Sequence, residues 1–175
     1  MDLKIVPCNY NAHAAAILDI FNDAILNSTA LYEYEPRTME FMATWFTAKA
    51  QANFPVIGAE DQDGKLVGFA SYGHFRNWPA YKYSVEHSVY VHKDSRGAGV
   101  GTLLMREVIR TVQQNGYHML IGGIDATNQP SIRLHERLGF AHCATIAHAG
   151  FKFGNWLDLV FYQLLLPTPE EPVDG

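Results

Sequence analysis

The sequence predicts one domain of the α/β (α+β) class, in which strands and helices are interleaved along the chain. A chain of 175 residues, 48% of them apolar, is long enough to bury the core of one globular domain. Segments with strand-like spacing alternate with segments whose apolar residues recur at helical spacing. In addition, a strand-like segment runs directly into a glycine-rich turn that opens a helix, at residues 88–101.

The first part of the chain predicts a strand and two helices. The strand covers residues 3–7, and Asn9 or Asn11 could cap a helix over about 12–27. Thr38 is a suitable cap for a second helix that ends near Ala50. The residues expected on the buried faces are Ile17, Leu18, Phe21, Ala24 and Ile25 in the first helix and Phe41, Trp45 and Ala48 in the second.

A hairpin and a further strand follow. Residues 54–60 and 66–74 are strand-like, and the Asp63-Gly64 pair between them suits a tight turn. Pro79 excludes a central strand at 75–81, so this segment is predicted to be a loop. Residues 84–92 are predicted to form the next strand.

The last part of the chain predicts two helices and three strands. The helix that starts at the glycine-rich turn runs to about Asn115, where Asn115-Gly116 suits a helix end. The later segments are a strand at 119–124, a helix at 129–138, and strands at 141–147 and 151–166. Residues 1–166 are predicted to be a single domain, and the acidic, proline-rich residues 167–175 a flexible tail.

Composition excludes several classes of function. A net charge of −5 and the lack of a basic patch argue against nucleic acid and anionic membrane as partners. No apolar run is long enough to span a bilayer and the start does not resemble a signal peptide, so the cytoplasm is the expected location. Cys8 and Cys143 are expected to be reduced, buried thiols. The eight histidines show no metal-binding spacing, so no metal is expected.

The glycine-rich turn predicts an anion site. Its glycines let backbone N–H groups point outward at the start of a helix, where an anion is favoured. A Walker loop is excluded because the Gly-Lys-Ser/Thr ending is missing, and a dinucleotide fingerprint because Thr102 stands where its third glycine is needed. The spacing is instead Arg-x-x-Gly-x-Gly, from Arg96 through Gly99 to Gly101.

This spacing resembles the pyrophosphate-binding signature of the GCN5-related N-acetyltransferases (GNAT). A second block, from Asn128 through Ser131 to Leu138-Gly139-Phe140, resembles the helix that lies along the pantetheine arm of acetyl-CoA in that family. The resemblance covers nearly the whole chain. It implies a mixed, mostly antiparallel central sheet flanked by helices, with a splayed strand at the acetyl-CoA site. The cofactor-binding residues it implies are Val89, Tyr90, Val91, Arg96, Gly97, Ala98, Gly99, Val100, Gly101, Asn128, Ser131 and His135.

Two residues are candidates for the catalytic proton transfers. Glu86 is a carboxylate in an otherwise apolar strand, where desolvation would raise its pKa toward that of a useful base; a solvated position at the rim is the alternative. His135 occupies the position at which many family members carry a tyrosine proposed to protonate the leaving thiolate. A histidine there could donate a proton, bond the cofactor, or lie on the helix surface without a catalytic part.

Several segments resemble the phosphinothricin and methionine sulfoximine acetyltransferase branch, among them residues 75–81, 84–91 and 150–158. This implies acetyl transfer to the α-amino group of a small amino acid, and a homodimer. Arg76 could hold the substrate carboxylate through two hydrogen bonds. The substrate-binding residues predicted are Tyr32, Phe75, Arg76, Asn77, Trp78, Tyr81, Glu86, His87, Ser88 and Lys152. Acetylation of another small amine or of a peptide N-terminus, and an inactive acyl-CoA sensor, remain alternatives.

Overall fold

The computed structural model describes residues 2–175, which contain four α-helices and seven strands. The helices are α1 (Tyr10–Asn27), α2 (Met39–Gln51), α3 (Val100–Gln114) and α4 (Gln129–Arg137). The strands are β1 (Lys4–Pro7), β2 (Val56–Glu60), β3 (Leu66–His74), β4 (Ser84–Val91), β5 (Met119–Asp125), β6 (Ala141–Lys152) and β7 (Asn155–Leu165). Within residues 2–175, no helix has both the length and the apolar composition that crossing a bilayer requires.

The strands form one mixed sheet in the order β1-β2-β3-β4-β5-β7-β6. The β1–β2, β2–β3, β5–β7 and β6–β7 pairs are antiparallel, and β4–β5 is parallel. The β4–β5 ladder runs from Ser84–Met119 to Glu86–Ile121, although both strands continue beyond that last pair. The predicted fold class, a mixed and mostly antiparallel sheet with flanking helices, is confirmed.

The contacts divide the chain into two compact units, interleaved in sequence. The first contains residues 2–72 and 88–108. In it, helical spacing directs one face of α1 inward, and Met42 of α2 is fully buried. The core cluster of this unit consists of Ala14, Ile17, Ile20, Phe21, Met42, Val56, Leu66 and Phe69.

The second unit contains residues 73–87 and 109–175. Its core combines buried residues of β4, β5 and β7, such as Val85, Leu120 and Val160, with Ile132 of α4 and Phe140. Helix α4 begins at the cap Asn128, whose side-chain oxygen accepts a hydrogen bond from the Ser131 N–H at 3.2 Å. The chain thereby enters α4 directly after the buried end of β5.

Helix caps confirm two of the predictions. Asn9 caps α1 by accepting a hydrogen bond from the Ala12 N–H at 2.9 Å, which settles the choice between Asn9 and Asn11. Thr38 caps α2 by accepting from the Phe41 N–H at 3.2 Å. Of the buried face predicted for α2, Trp45 is half-buried and packs against the core cluster, whereas Phe41 and Ala48 are exposed and Met42 is buried instead.

The turn between the last two strands also differs from the prediction. β6 continues to Lys152, and Phe153 and Gly154, both with positive φ, form the two-residue turn. Residues 148–150, which lie between the strands predicted at 141–147 and 151–166, form a bulge within β6, since His148 has φ 51° and the register shifts between Ile146 and Gly150. Cys143 is exposed on β6, contrary to the buried thiol expected.

The last residues of the chain are part of the second unit and form hydrogen bonds within it. The Thr168 hydroxyl donates to the Tyr117 carbonyl at 2.5 Å, and the Val173 N–H donates to the Tyr83 hydroxyl at 3.1 Å. The single domain over residues 1–166 and the flexible tail at 167–175 both stay predictions.

Candidate active site

The glycine-rich turn lies in the first unit and leads into α3. Gly97 and Gly99 have φ of 78° and 86°, values that a side chain disfavours. A Cβ at either position would meet nothing within 4 Å, so the turn is open on that side. The Leu103 N–H donates to the Gly99 carbonyl at 3.1 Å, which leaves the N–H groups of the preceding positions to bind an anion. The turn therefore has the open backbone that an anion site requires, and its binding of a diphosphate stays a prediction.

Arg96 at the start of this turn already has an anionic partner. Its Nη2 lies 2.9 Å from Oδ2 of Asp23 on α1, and its side chain is 56% exposed. The guanidinium is thus beside the turn and accessible, but it is held by a carboxylate of the same unit. Any phosphate that binds Arg96 competes with Asp23 for it.

The last residues of β4, Val89, Tyr90 and Val91, are all half-buried in the first unit. The Tyr90 ring packs against Phe21 and Phe69, with ring centres 5.2 and 5.5 Å apart. These contacts give the side chain of Tyr90 a structural role. Any cofactor role of this segment therefore belongs to its main-chain groups.

Glu86 lies in the second unit, half-buried on β4. Its Oε1 would be 3.3 Å from a Cβ on Gly123, so the missing side chain at Gly123 provides space for the carboxylate. Burial raises the pKa of Glu86, and the positive charge of Arg76 partly offsets the effect. The desolvated carboxylate expected on this strand is therefore present, and its proximity to Arg76 is an additional finding.

His87, the next residue on β4, points the other way and is 8% exposed. Its Nε2 lies 3.1 Å from Nε2 of His135 on α4, which is itself 1% exposed. The second His135 nitrogen, Nδ1, lies 2.7 Å from the Ser131 carbonyl oxygen. Both nitrogens of His135 are thus engaged within the protein, and its ring is buried rather than on the helix surface.

The electrostatics of the histidine pair follow from its burial. Burial and, to a smaller extent, the neighbouring His135 ring lower the pKa of His87 from the ordinary value of 6.5 to about 3. Burial also lowers the pKa of His135, although its hydrogen bond to Ser131 acts in the opposite direction. Both rings are therefore neutral near neutral pH.

The other predicted binding residues are distributed over both units. In the second unit, the Arg76 guanidinium lies 5.3 Å from the Phe75 ring centre, and Phe75 packs edge-on against Tyr81 at 5.7 Å. Asn77 is exposed, Trp78 is 76% exposed, and Lys152 is buried. In the first unit, Tyr32 and Ser88 are half-buried.

The loop that carries Tyr32 is held by a neighbouring arginine. The Arg37 guanidinium makes a bidentate ion pair with the Glu33 carboxylate and lies 3.9 Å from the centre of the Phe21 ring. The Arg37 backbone also makes two hydrogen bonds with the Asn22 side chain of α1: its N–H donates to Oδ1, and its carbonyl oxygen accepts from Nδ2. These contacts fix the loop between α1 and α2 to the core of the first unit.

Three features of the site were missed from the sequence. Asp23, the partner of Arg96, lies 73 residues away in the chain and has no local pattern to mark it. Gly122 and Gly123 provide the space for His87 and Glu86 on opposite faces of β5. That match between a Glu-His and a Gly-Gly pair could have been found only once the register of β4 and β5 was known.

No group of three His, Cys, Asp or Glu residues that could hold a metal ion occurs among residues 2–175. Asp125 is buried at the end of β5, and its carboxylate accepts hydrogen bonds from the N–H and hydroxyl of Thr127. This carboxylate thus organises the turn before α4.

Comparisons with known proteins agree with this geometry. The family model described as "Acetyltransferase (GNAT) family" matches residues 17–140. The L-methionine sulfoximine/L-methionine sulfone acetyltransferase of Pseudomonas paraeruginosa is 41% identical over 92% of this chain and 94% of its own. The phosphinothricin N-acetyltransferase of Streptomyces viridochromogenes is 34% identical over 93% of this chain and 88% of its own.

A solved structure supports the same assignment. The GNAT phosphinothricin acetyltransferase of Sinorhizobium meliloti, in complex with acetyl-CoA, superimposes with a TM-score of 0.93 at 31% identity, covering 100% of this chain and 95% of that one. The match extends over all the elements described above. Because the family model matches residues 17–140 and the two relatives are 41% and 34% identical over more than nine-tenths of this chain, the chain belongs to the GNAT acetyltransferase family.

Proposed function

We propose that this protein transfers the acetyl group of acetyl-CoA to the α-amino group of a small amino acid of the methionine sulfoximine, methionine sulfone or phosphinothricin type. Acetyl-CoA supplies an acetyl group activated as a thioester. The observation that carries the proposal is the Glu86 carboxylate, which is half-buried, has a raised pKa and lies within the electrostatic reach of Arg76. The names of the relatives at 41% and 34% identity support the substrate class.

The first task of the protein is to hold the donor. The open turn at Gly97 and Gly99 and the first N–H groups of α3 bind the diphosphate, and Arg96 adds positive charge. Main-chain groups of Val89, Tyr90 and Val91 bind the thioester arm and polarise its carbonyl. Asn128 and Ser131 at the start of α4 contact the same arm.

The second task is to hold and deprotonate the amine. Arg76 binds the carboxylate of the amino acid, and Phe75, Tyr81 and Trp78 contact its side chain. Glu86 accepts the proton that the amino group must lose, directly or through a water molecule. The departing thiolate takes its proton from water, because both rings of the buried histidine pair are neutral and a neutral imidazole is too weak an acid to protonate a thiolate.

The experiment is a thiol-release assay with acetyl-CoA and a panel of amines: methionine sulfoximine, methionine sulfone, phosphinothricin and a short peptide. The proposal predicts release with the three amino acids and none with the peptide. Arg76→Ala should raise the KM for the amino acid more than the KM for acetyl-CoA, whereas Arg137→Ala, which also removes an exposed arginine of the second unit, should change neither. Tight coenzyme A binding without turnover of any amine would favour an acyl-CoA sensor.

We also propose that the protein is a homodimer that pairs through β6 and β7. β6 is the last strand in the sheet order and is exposed over nearly its whole length. Its hairpin carries exposed Phe151, Phe153 and Trp156, a combination that favours association. Sedimentation should give a dimer, and Trp156→Lys should yield monomers, while Tyr34→Lys, at an exposed aromatic of the first unit, should not.

Two further expectations concern biology. The cytoplasmic location expected from the sequence stays a prediction. Removal of toxic amino-acid analogues is the role that we propose for the activity, and deletion of the gene should make cells more sensitive to methionine sulfoximine or phosphinothricin.

A further inference from the structure

One nitrogen of the buried histidine pair has no partner. Among the buried side-chain nitrogen and oxygen atoms of residues 2–175, only Nδ1 of His87 lacks a hydrogen bond. The side chain that carries it is more than nine-tenths buried. A buried polar atom without a hydrogen-bond partner lowers the free energy of unfolding, so the unpaired Nδ1 of His87 requires an explanation.

The hydrogen bonds of the pair determine what this nitrogen can do. The Ser131 carbonyl can only accept, so Nδ1 of His135 carries the proton of that hydrogen bond. The ring is neutral, and its Nε2 is therefore an acceptor, which requires His87 to donate from its own Nε2. His87 is neutral as well, so its Nδ1 has a lone pair and no proton. Nδ1 of His87 is therefore a hydrogen-bond acceptor that needs an N–H or O–H donor.

The position of the pair restricts the donor. Glu86 and His87 point to opposite faces of the sheet, and their carboxylate and ring lie over Gly123 and Gly122 respectively. The amine that Glu86 is proposed to deprotonate is thus on the wrong face to donate to His87. His87 and Gly122 are also the first residues beyond the last pair of the β4–β5 ladder, Glu86–Ile121.

We propose that Nδ1 of His87 accepts a hydrogen bond from an amide N–H of the pantetheine arm of coenzyme A, and that His135 is the positioning residue that keeps this nitrogen unprotonated. The inference rests on the proposed function, because coenzyme A is the remaining ligand of that reaction with N–H donors. We place its arm beside His87 because the β4–β5 ladder ends at the preceding pair, Glu86–Ile121. His87 therefore changes from a predicted substrate residue to a cofactor residue.

A matched pair of variants separates the two nitrogens of His87. The amide oxygen of Asn reaches about as far as Nδ1, so His87→Asn keeps an acceptor there and loses the contact with His135. The amide nitrogen of Gln reaches about as far as Nε2, so His87→Gln keeps the donor to His135 and loses the acceptor. We expect His87→Gln to bind coenzyme A about tenfold more weakly and His87→Asn to stay within about threefold of wild type, by calorimetry.

A ligand without the pantetheine arm shows how much of the effect on affinity comes from that arm. Adenosine 3′,5′-bisphosphate lacks pantetheine, so both variants and wild type should bind it equally. His118→Gln is the control, because His118 is an exposed histidine of the same unit that is bonded through Nδ1 to the Thr168 carbonyl oxygen. Undiminished coenzyme A affinity in His87→Gln, or an equal loss of bisphosphate affinity, would overturn the proposal.

Nitrogen NMR of histidine-labelled wild-type protein provides a test that needs no variant. His87 should show an unprotonated Nδ1 and a protonated Nε2, and the Nδ1 resonance should shift when coenzyme A is added but not when the bisphosphate is added. A protonated Nδ1, or a resonance indifferent to coenzyme A, contradicts the inference and leaves the proposed function standing. Failure of wild-type protein to bind coenzyme A at all would instead overturn the proposed function.

Discussion

At the residue scale, the chemistry depends on one carboxylate whose surroundings favour its neutral form. Glu86 is half-buried over Gly123, and its burial outweighs the opposing charge of Arg76, so that its pKa is raised above the ordinary 4.5. A base with a raised pKa removes a proton from an ammonium group more readily than an ordinary carboxylate does. The price is that it becomes protonated, and inactive, at a higher pH.

Two consequences of the Glu86 environment can be measured. Glu86→Gln should lower kcat roughly 100-fold or more, while coenzyme A affinity stays the same, because the amide retains the shape but cannot accept the proton. In wild type, kcat should fall as the pH decreases through the raised pKa, and this acidic limb should be missing in the variant. A pH–rate profile from pH 5 to 9 for both proteins checks this; an unchanged limb in Glu86→Gln would remove Glu86 as the base.

The Arg96–Asp23 pair provides a second prediction at this scale. Because Asp23 competes with phosphate for the guanidinium, Asp23→Asn should tighten coenzyme A binding about two- to fivefold, the size expected for an accessible ion pair. Asp19→Asn, which removes the same charge from an exposed position of the same helix, is the control. Calorimetry with coenzyme A distinguishes the two, and equal gains would indicate a general charge effect.

At the scale of elements, sequence patterns predicted most of the fold but not the details that depend on neighbours. Asn9 and Thr38 mark the helix starts because capping is a local interaction. On α2, Trp45 packs inward as predicted, but Met42 is buried in place of Phe41, because the helix is almost as apolar on one side as on the other and packing in the core selects Met42. The β6–β7 turn was misplaced because the bulge at His148 and the turn at Phe153 have similar local sequences, each ending in glycine.

The candidate site likewise combines features that the sequence predicts with features that depend on tertiary contacts. The anion turn was predictable because glycines at 97 and 99 and a following helix are sequential features. The contact of His87 with His135 spans 48 residues and depends on the register of β4 and on the face that α4 presents. Neither can be read from spacing along the chain.

The glycine pair of β5 gives a prediction about elements. A Cβ at Gly122 would lie 2.6 Å from Nε2 of the buried His87 ring, so Gly122→Ala should lower the free energy of unfolding by about 1–3 kcal/mol. At Gly123 the nearest atom is Oε1 of Glu86 at 3.3 Å, and Gly123→Ala should cost less stability but lower kcat by displacing the carboxylate. Urea denaturation and the thiol-release assay measure the two effects; equal destabilisation by both variants would contradict the contacts described.

At the scale of the whole molecule, the buried histidines make stability depend on pH. In the unfolded chain His87 takes up a proton near pH 6.5, whereas in the folded protein it does so only near pH 3. Between these values the unfolded state binds more protons, so the free energy of unfolding should decrease as the pH is lowered below 6.5. The lowered pKa of His135 acts in the same direction.

Glu86 has the opposite sign. Its pKa is raised in the folded state, so its contribution to stability is lost as the pH rises above 4.5. Glu86→Gln should therefore steepen the dependence of stability on pH above 4.5, and His87→Asn should flatten it below 6.5. Urea denaturation at several pH values checks both, and parallel curves for the three proteins would show that other groups control acid stability.

The adjacent glycines on β5 also constrain how this enzyme can be redesigned. Position 123 is exposed, and a larger residue there has only the end of a glutamate side chain and the edges of Phe161 and Leu159 to displace. Position 122 is enclosed by two imidazoles, so any side chain there requires a simultaneous truncation at 87 or 135. Laboratory evolution toward bulkier amines should accumulate changes at the first position singly and at the second only in pairs.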